Sequence, residues 1–310
     1  MAIMYLAKIN LTAGIFDVYQ KKLDLADVKS TIYSEIDEVK SYKAVSRYTC
    51  SDVFGNTRKI RYKSEYSFKE LEKREKNIIT GKLVREFEKP TEKIDENGKI
   101  SQIRNQEAVS IYFYLDVEHE LIAFSERQSF GYNQFTTAFS RILNNNSKNY
   151  VFEIFLQKDQ AVLQEKIRNL KTIRSVKATL IPPNSNETDL DEFRNSLQYL
   201  SACEETNANK YKVEMSTSDD SRSLNVESQY MKEIYDAVSR GYGEITAHGI
   251  NQNGKRQTIS SNQDAALIRN INDNMKKDDY DSEAENFILE FLSRPLRKIA
   301  GERMSANGKR

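Results

Sequence analysis

The segment from Glu107 to Asn146 constrains the fold more than any other part of the chain. In SIYFYLD, apolar residues alternate with Tyr and Asp, which predicts a half-buried strand that turns at Val117–His119 into a second strand. The stretch NQFTTAFSRIL that follows places Phe135, Phe139 and other apolar residues at helical spacing. We therefore expect a β-hairpin with a helix packed behind it. This unit contains no recognisable catalytic motif.

The rest of the chain predicts an α+β fold of two domains, since 310 residues are long for one compact core. We expect an N-terminal α+β domain, residues 1–146, that is rich in antiparallel strands. Residues 147–310 are expected to form a second α+β domain. There YVFEIFLQ, a helix and SVKATLI would make a ferredoxin-like β-α-β element. An acidic linker at 182–192 and a basic tail at 294–310 complete this domain.

Two further segments predict helices. The charged run SFKELEKREKN, residues 67–77, is typical of a short helix with an exposed face. Residues 265–275 have the composition of a second helix, which would precede the last apolar stripe of the chain.

The cysteines and the hydropathy pattern indicate a cytoplasmic protein. Cys50 and Cys203 are far apart in sequence and form neither a disulfide framework nor a zinc motif, which favours a reducing compartment. No apolar run approaches the roughly 18 residues that a membrane-spanning helix needs. We expect no membrane insertion and no cofactor.

The net charge of +1 conceals a strong segregation of charge along the chain. Residues 182–236 hold five Lys or Arg against twelve Asp or Glu, a net charge of −7, so the remainder carries +8. An even total therefore does not exclude a nucleic-acid partner. The acidic segment offers an alternative function, in which it docks a basic partner protein or mimics DNA.

Two sets of residues suggest catalysis. Asp116, Glu118 and Glu120 would share one strand face and could bind Mg²⁺ for phosphoryl chemistry, as in a nuclease. His248 could act as a general base in a metal-independent ribonuclease toxin. Acidic residues are common at hairpin turns, and a surface histidine is common on an edge hairpin. The sequence therefore favours a protein that is not an enzyme, with both nuclease types left as alternatives.

A basic strand is the stronger functional candidate. In TRKIRYKS, Lys59, Arg61 and Lys63 alternate and would share one face that can contact phosphates, while Tyr62 offers a stacking partner. A solvated face or a lysine-guarded edge strand would give the same pattern. The complete candidate nucleic-acid-binding set is Lys59, Arg61, Tyr62, Lys63, Arg168, Lys171, Arg294, Arg297 and Lys298.

The order and spacing of several elements resemble those of the Rex A-type phage-exclusion proteins. The likeness covers roughly Glu107 to Ser260 and rests on IYFYLD–ELIAFSER, NQFTTAFSRIL, YVFEIFLQ and GYGEITAHGINQNGKRQTIS. It implies a dimeric, non-enzymatic DNA-binding sensor of an antiphage abortive-infection system. No binding residue is carried over by position.

These observations together predict a nucleic-acid-binding component of an antiphage defence or mobile-element system, without sequence specificity and without catalysis. Its expected partners are DNA, or RNA, a second copy of the chain, and a second protein of the same system.

Overall fold

The computed structural model describes residues 2–51, 57–94, 96, 100–146, 150–184, 190, 197–219 and 222–294. These residues form two antiparallel sheets with helices packed against them. The predicted α+β class is confirmed. No helix of these ranges is long and apolar enough to cross a bilayer.

The first sheet has eight strands. Its strands are β1 (Ala2–Ala13), β2 (Ser41–Ser51), β3 (Thr57–Arg74), β4 (Ile78–Ile94), β5 (Ile100–Asp116), β6 (Leu121–Ser125), β7 (Val151–Leu156) and β12 (Ile268–Ile271). They are ordered β12-β1-β6-β5-β4-β3-β2, and β7 pairs with β1 beyond the end of β12.

The second sheet has four strands. They are β8 (Thr172–Leu180), β9 (Tyr211–Ser216), β10 (Gly243–Ile250) and β11 (Arg256–Ser260), in the order β11-β10-β8-β9. Burial alternates along β10, because one face of this sheet packs on helices while the other is open to solvent.

The helices cover one face of each sheet and part of a second face. They are α1 (Ile15–Tyr19), α2 (Leu25–Glu35), α3 (Tyr132–Asn146), α4 (Gln160–Arg168), α5 (Gln198–Thr206), α6 (Gln229–Ser239), α7 (Ser261–Asp264) and α8 (Lys277–Ser293). The side chains of Asp24, Asp159 and Ser228 accept hydrogen bonds from backbone N–H groups at the first turns of α2, α4 and α6. These contacts fix where the three helices begin.

The predicted hairpin and helix are confirmed. β5 and β6 pair antiparallel, and α3 packs behind them with the Phe124 and Phe135 rings stacked 3.9 Å apart. Phe139 of α3 also contacts Phe68 of β3, with ring centroids 4.9 Å apart. This aromatic layer fixes which face of the sheet is internal.

The opposite face of the first sheet is covered near β5 and β6 by α8. The Tyr112 hydroxyl donates to Asp281 Oδ1 (2.8 Å), and Arg74 Nη2 lies 2.7 Å from Asp281 Oδ2. Tyr280 packs edge-on against Tyr112. The described contacts of α8 with β3 are at the end of that strand, where Arg74 pairs with Asp281 and Glu72 pairs with Lys277.

Several predicted elements differ from the observed ones. β7 pairs with β1 and β8 pairs with β10, so the strands that flank α4 lie in different sheets and not side by side as in a ferredoxin-like unit. The first sheet takes strands from both sides of the expected boundary at residue 146. Residues 67–74 continue strand β3, and residues 268–271 form β12; both had been expected to be helical.

Candidate nucleic-acid interface

Two β-ribbons extend beyond the shared part of the first sheet. The β3–β4 register runs from Arg74↔Ile78 to Ser64↔Phe87. Past that point β3 pairs only with β2, and β4 pairs only with β5, among the residues that the structure describes. We call residues 45–51 with 57–63 the basic arm, and residues 88–94 with 100–106 the mixed arm.

Both arms are two-stranded antiparallel ribbons, but their charges differ. The basic arm carries five basic residues and no acidic one, whereas the mixed arm carries three basic and two acidic residues. In the mixed arm Arg104 pairs with Glu88 (2.9 Å), and Lys89 pairs with Glu107, the residue that follows the arm on β5 (3.2 Å). The cations of the mixed arm are thus largely neutralised by neighbours on the same ribbon.

The register of the basic arm places cationic positions on one face. Lys59, Arg61 and Lys63 alternate along β3, and their direct partners on β2 are Thr49, Arg47 and Val45. Arg47 therefore faces Arg61, and Lys59 and Lys63 are its diagonal neighbours on the same face. Lys63 is exposed. Like charges directly opposite each other destabilise a sheet, so this arrangement is unusual for a ribbon that serves only structure.

The face of the basic arm follows from the core of the sheet. Tyr66 and Phe68, further along β3, point to the α3 side, where Tyr66 contacts Phe130. Position 62 shares that side by alternation, and positions 59, 61 and 63 share the opposite side. The cationic positions thus belong to the same sheet face as α8, on the part of β3 beyond the described contacts of that helix.

The remaining predicted binding residues belong to other elements. Arg168, in α4 beside the second sheet, makes a two-pronged ion pair with Glu227 in which Nη2 lies 2.6 Å from Oε2. This pair holds the pKa of Glu227 below its usual range. Lys171 is exposed after α4, and Arg294 is exposed at the end of α8. Arg297 and Lys298 lie outside the described residues.

The acidic residues of the β5–β6 turn do not converge. Asp116 contacts His119 Nδ1 (2.7 Å), Glu118 pairs with Lys29 (2.7 Å), and Glu120 pairs with Lys8 (3.1 Å). Residues 117–120 form the turn itself, so the expected single strand face does not exist. The described part of the chain contains no group of three His, Cys, Asp or Glu side chains placed to hold a metal ion.

His248 lies on the open face of the second sheet. Its Nδ1 is 2.9 Å from Thr258 Oγ1 on the neighbouring strand β11. Glu244 lies four residues before His248 on the same face of β10, and it accepts a hydrogen bond from Asn262 (2.8 Å). The first contact is a cross-strand polar pair and the second joins β10 to α7, and neither supports a general base at His248.

Two lysines with little solvent exposure were missed by sequence reasoning. Lys8 lies in the middle of β1, where burial lowers its pKa; the Glu120 carboxylate and Tyr242 together outweigh this effect, so the pKa of Lys8 is raised. Glu120 also accepts a hydrogen bond from Asn184 (3.2 Å). Lys158 follows β7, is only 3% exposed, and donates to the Gly243 carbonyl (2.7 Å). Burial lowers the pKa of Lys158 to about 7, and the Glu244 carboxylate offsets this only in part.

The sequence does contain a sign of these two lysines. Each interrupts an apolar strand pattern, as a lysine within AIMYLAKINL and at the end of VFEIFLQK. Both lie where β1 and β7 meet the α6–β10 corner: Asn10 Nδ2 donates to the Gly241 carbonyl (3.0 Å). We interpret them as anchors between the two sheets and not as parts of the interface.

Comparison with known proteins gives one informative match. A family described as a domain of unknown function, DUF4747, matches residues 38–289, which include both arms, the second sheet and most of α8. The search of curated proteins gives no match. Because the matched range takes in most of the chain, the protein belongs to the DUF4747 family.

Proposed function

We propose that this protein binds nucleic acid through the basic arm, and that its principal ligand is duplex DNA of any sequence. The observation that carries the proposal is the charge of the projecting ribbon: five basic residues, no acidic one, and Arg47 directly opposite Arg61. The mixed arm, built on the same sheet, lacks this feature.

The shape of the arm suits a double helix. The major groove of B-DNA admits a two-stranded β-ribbon, and alternate residues of a strand are about 6.5–7 Å apart, close to the spacing of successive phosphates. Lys59, Arg61 and Lys63 would therefore meet consecutive phosphates of one strand. Phosphate contacts carry no sequence information, so affinity should depend little on sequence.

The repulsion within the arm also favours a polyanionic ligand. A facing pair of like charges is destabilising, whereas a facing pair of opposite charges contributes about 0.2–1 kcal/mol. Phosphates lying over the ribbon would replace this repulsion with attraction for both arginines at once. A face that only needed to be solvated would gain more from mixed charges, as on the mixed arm.

The cellular setting of the proposal follows from the resemblance described above. We place the protein in the cytoplasm as the non-catalytic recognition component of an antiphage abortive-infection or mobile-element system, acting with a second protein of that system. RNA is a second ligand of the same chemistry. The acidic segment 182–236 supports a rival proposal, the docking of a basic partner protein.

Fluorescence anisotropy with several unrelated duplexes tests the proposal. We expect similar affinities for all of them, and a slope of log K against log salt concentration near −4 to −5 if about five phosphates are contacted. Absence of binding from low to moderate salt would exclude the nucleic-acid function and favour the protein-docking one.

A charge reversal with a matched control locates the site. Changing Lys59, Arg61 and Lys63 together to Glu should reduce affinity at low salt by about 100-fold or more, since three contacts are lost and three repulsions are gained. The same reversal of Lys89, Lys93 and Arg104 on the mixed arm should have a much smaller effect. Equal losses in the two variants, with circular dichroism unchanged, would show that the basic arm is not the site.

A further inference from the structure

Strand β9 is an edge of the second sheet. It pairs with β8 over six residues, from Tyr211↔Leu180 to Ser216↔Ser175, without a bulge. Its other side has no strand partner among the described residues. An edge of this kind presents free backbone N–H and C=O groups, which can pair with a strand of another chain.

The direction of the free backbone groups follows from one hydrogen bond. Thr217 N donates to Arg174 O (3.0 Å), so positions 217 and 174 form a hydrogen-bonded pair. Such pairs alternate along an antiparallel ladder. The inward-pointing backbone groups are therefore those of Tyr211, Val213 and Met215, and the outward-pointing groups are those of Lys212, Glu214 and Ser216.

The side chains of β9 divide in the same alternating way. Lys212, Glu214 and Ser216 are exposed on the open face of the sheet, and Tyr211, Val213 and Met215 are partly buried on the helix-covered face. Glu214 contacts Lys177 of β8 (3.0 Å). Lys212 has no acidic partner among the residues that the structure describes. The edge thus has a cation, Lys212, directly before Val213 and an anion, Glu214, directly after it.

We propose that β9 pairs antiparallel with β9 of a second copy of this chain, about a two-fold axis at Val213. This register joins the outward backbone groups of Lys212 to those of the partner's Glu214, and the reverse. It also brings each lysine opposite a glutamate on the open face. On the other face, Val213 meets its counterpart, and Tyr211 meets the partner's Met215.

The neighbouring registers are disfavoured by charge. Shifting the axis by one residue places either Lys212 opposite Lys212 or Glu214 opposite Glu214, and like charges directly opposite are destabilising. An isologous interface needs a surface that complements itself, and β9 has this property only in the Val213 register. The joined sheets would form one continuous eight-stranded sheet.

The edge strands β2 and β11 do not complement themselves in this way. The edge strand β2 carries Lys43 and Arg47, and the edge strand β11 begins with Arg256 after Lys255. Each would bring cations together or leave them without a partner. The inference is independent of nucleic acid, because it uses a different sheet from the basic arm.

Sedimentation velocity of the purified protein over a range of concentrations tests the proposal in the absence of nucleic acid. We expect a monomer–dimer equilibrium in the wild type. Lys212→Glu and Glu214→Lys should each weaken it by about tenfold or more, because each brings like charges into contact. The double variant that carries both changes restores the opposite-charge pairs and should regain dimer formation.

Two controls separate the edge from general effects. Arg256→Glu, on the opposite edge of the same sheet, should leave the dimerisation constant unchanged. Lys177→Ala removes the internal partner of Glu214 and should also preserve the dimer, which shows that loss of that ion pair is not the cause. A wild-type monomer at all concentrations, or a dimer that neither charge reversal weakens, would overturn the proposal.

Discussion

Arg47 and Arg61 are direct partners in the β2–β3 ladder, so two arginines occupy facing positions of one projecting ribbon. Like charges at facing positions of a ladder disfavour the sheet. Under the proposed function, stability and nucleic-acid binding would therefore make opposite demands on the same two positions. A variant that changes one of these positions can test a binding role against a structural one.

The variant Arg61→Glu should separate these demands. A carboxylate opposite Arg47 converts repulsion into attraction, so the free energy of unfolding should stay constant or rise by about 0.2–1 kcal/mol. Affinity for duplex DNA should fall, and the salt slope should decrease in magnitude by about one or more. Urea denaturation and fluorescence anisotropy measure the two quantities. Unchanged affinity in a stabilised variant would argue for a merely solvated face.

A second prediction compares the basic arm with the tail. Deleting residues 301–310, which include Arg303, Lys309 and Arg310, should weaken DNA binding much less than reversing Lys59, Arg61 and Lys63 to Glu. The arm positions are held by the ladder at a spacing that suits phosphates, so three contacts can form together. Gel-shift titrations of the two variants check this. If the deletion is the more damaging change, the site is assigned wrongly.

A third prediction concerns the buried ion pair of Lys8 and Glu120, whose side chains are 14% and 6% exposed. Glu120→Ala leaves the lysine charge buried without its carboxylate and should cost about 3–5 kcal/mol of unfolding free energy. Glu118→Ala in the same turn removes an exposed pair with Lys29 and should cost about 1 kcal/mol or less. Similar losses in both variants would show that the burial of the pair has no energetic consequence.

A fourth prediction concerns pH and Lys158. Below pH 7 this lysine is protonated in the folded and unfolded states, and the folded state bears the full cost of the buried cation. Between about pH 7 and 10.5 the unfolded state binds more protons, so the unfolding free energy should rise with pH, by at most about 1.4 kcal/mol per pH unit. In Lys158→Met this contribution should vanish. An identical pH profile in both proteins would contradict the lowered pKa.

The parts of the fold that could be predicted are those with local patterns. Apolar residues alternate along β5, and apolar residues at helical spacing follow in α3. The hairpin of β5 and β6 and the helix α3 are observed as expected. The helix predicted over residues 67–74 was wrong. The charged composition of this segment favours a helix, but pairing with β4 and burial of Phe68 in the core make it a strand. The helix predicted over residues 265–275 was also wrong for residues 268–271, because their strand partner, β1, is distant in sequence.

Some features of the candidate site could be predicted from the sequence and others could not. The alternation of Lys59, Arg61 and Lys63 could be read from the sequence because it lies within one strand. The facing position of Arg47 could not, since it depends on the register of β2 against β3. Likewise the partner of Glu120 is Lys8 of β1 and not an acidic neighbour with which it might share a metal, a pairing that only the assembled sheet determines.

The pairing of β1 with β12 has a kinetic consequence. Ala2 pairs with Ile271, so the Ala2–Tyr5 part of this edge of β1, beyond the part that pairs with β7, gains its hydrogen bonds only after residues 268–271 are available. Closing such a long loop costs entropy before the contact is formed, and proteins rich in distant strand pairings fold slowly. During synthesis the edge of β1 that receives β12 would remain open, and an open edge promotes association with other chains. We therefore expect rapid docking of β12 and α8 to favour efficient folding of this protein.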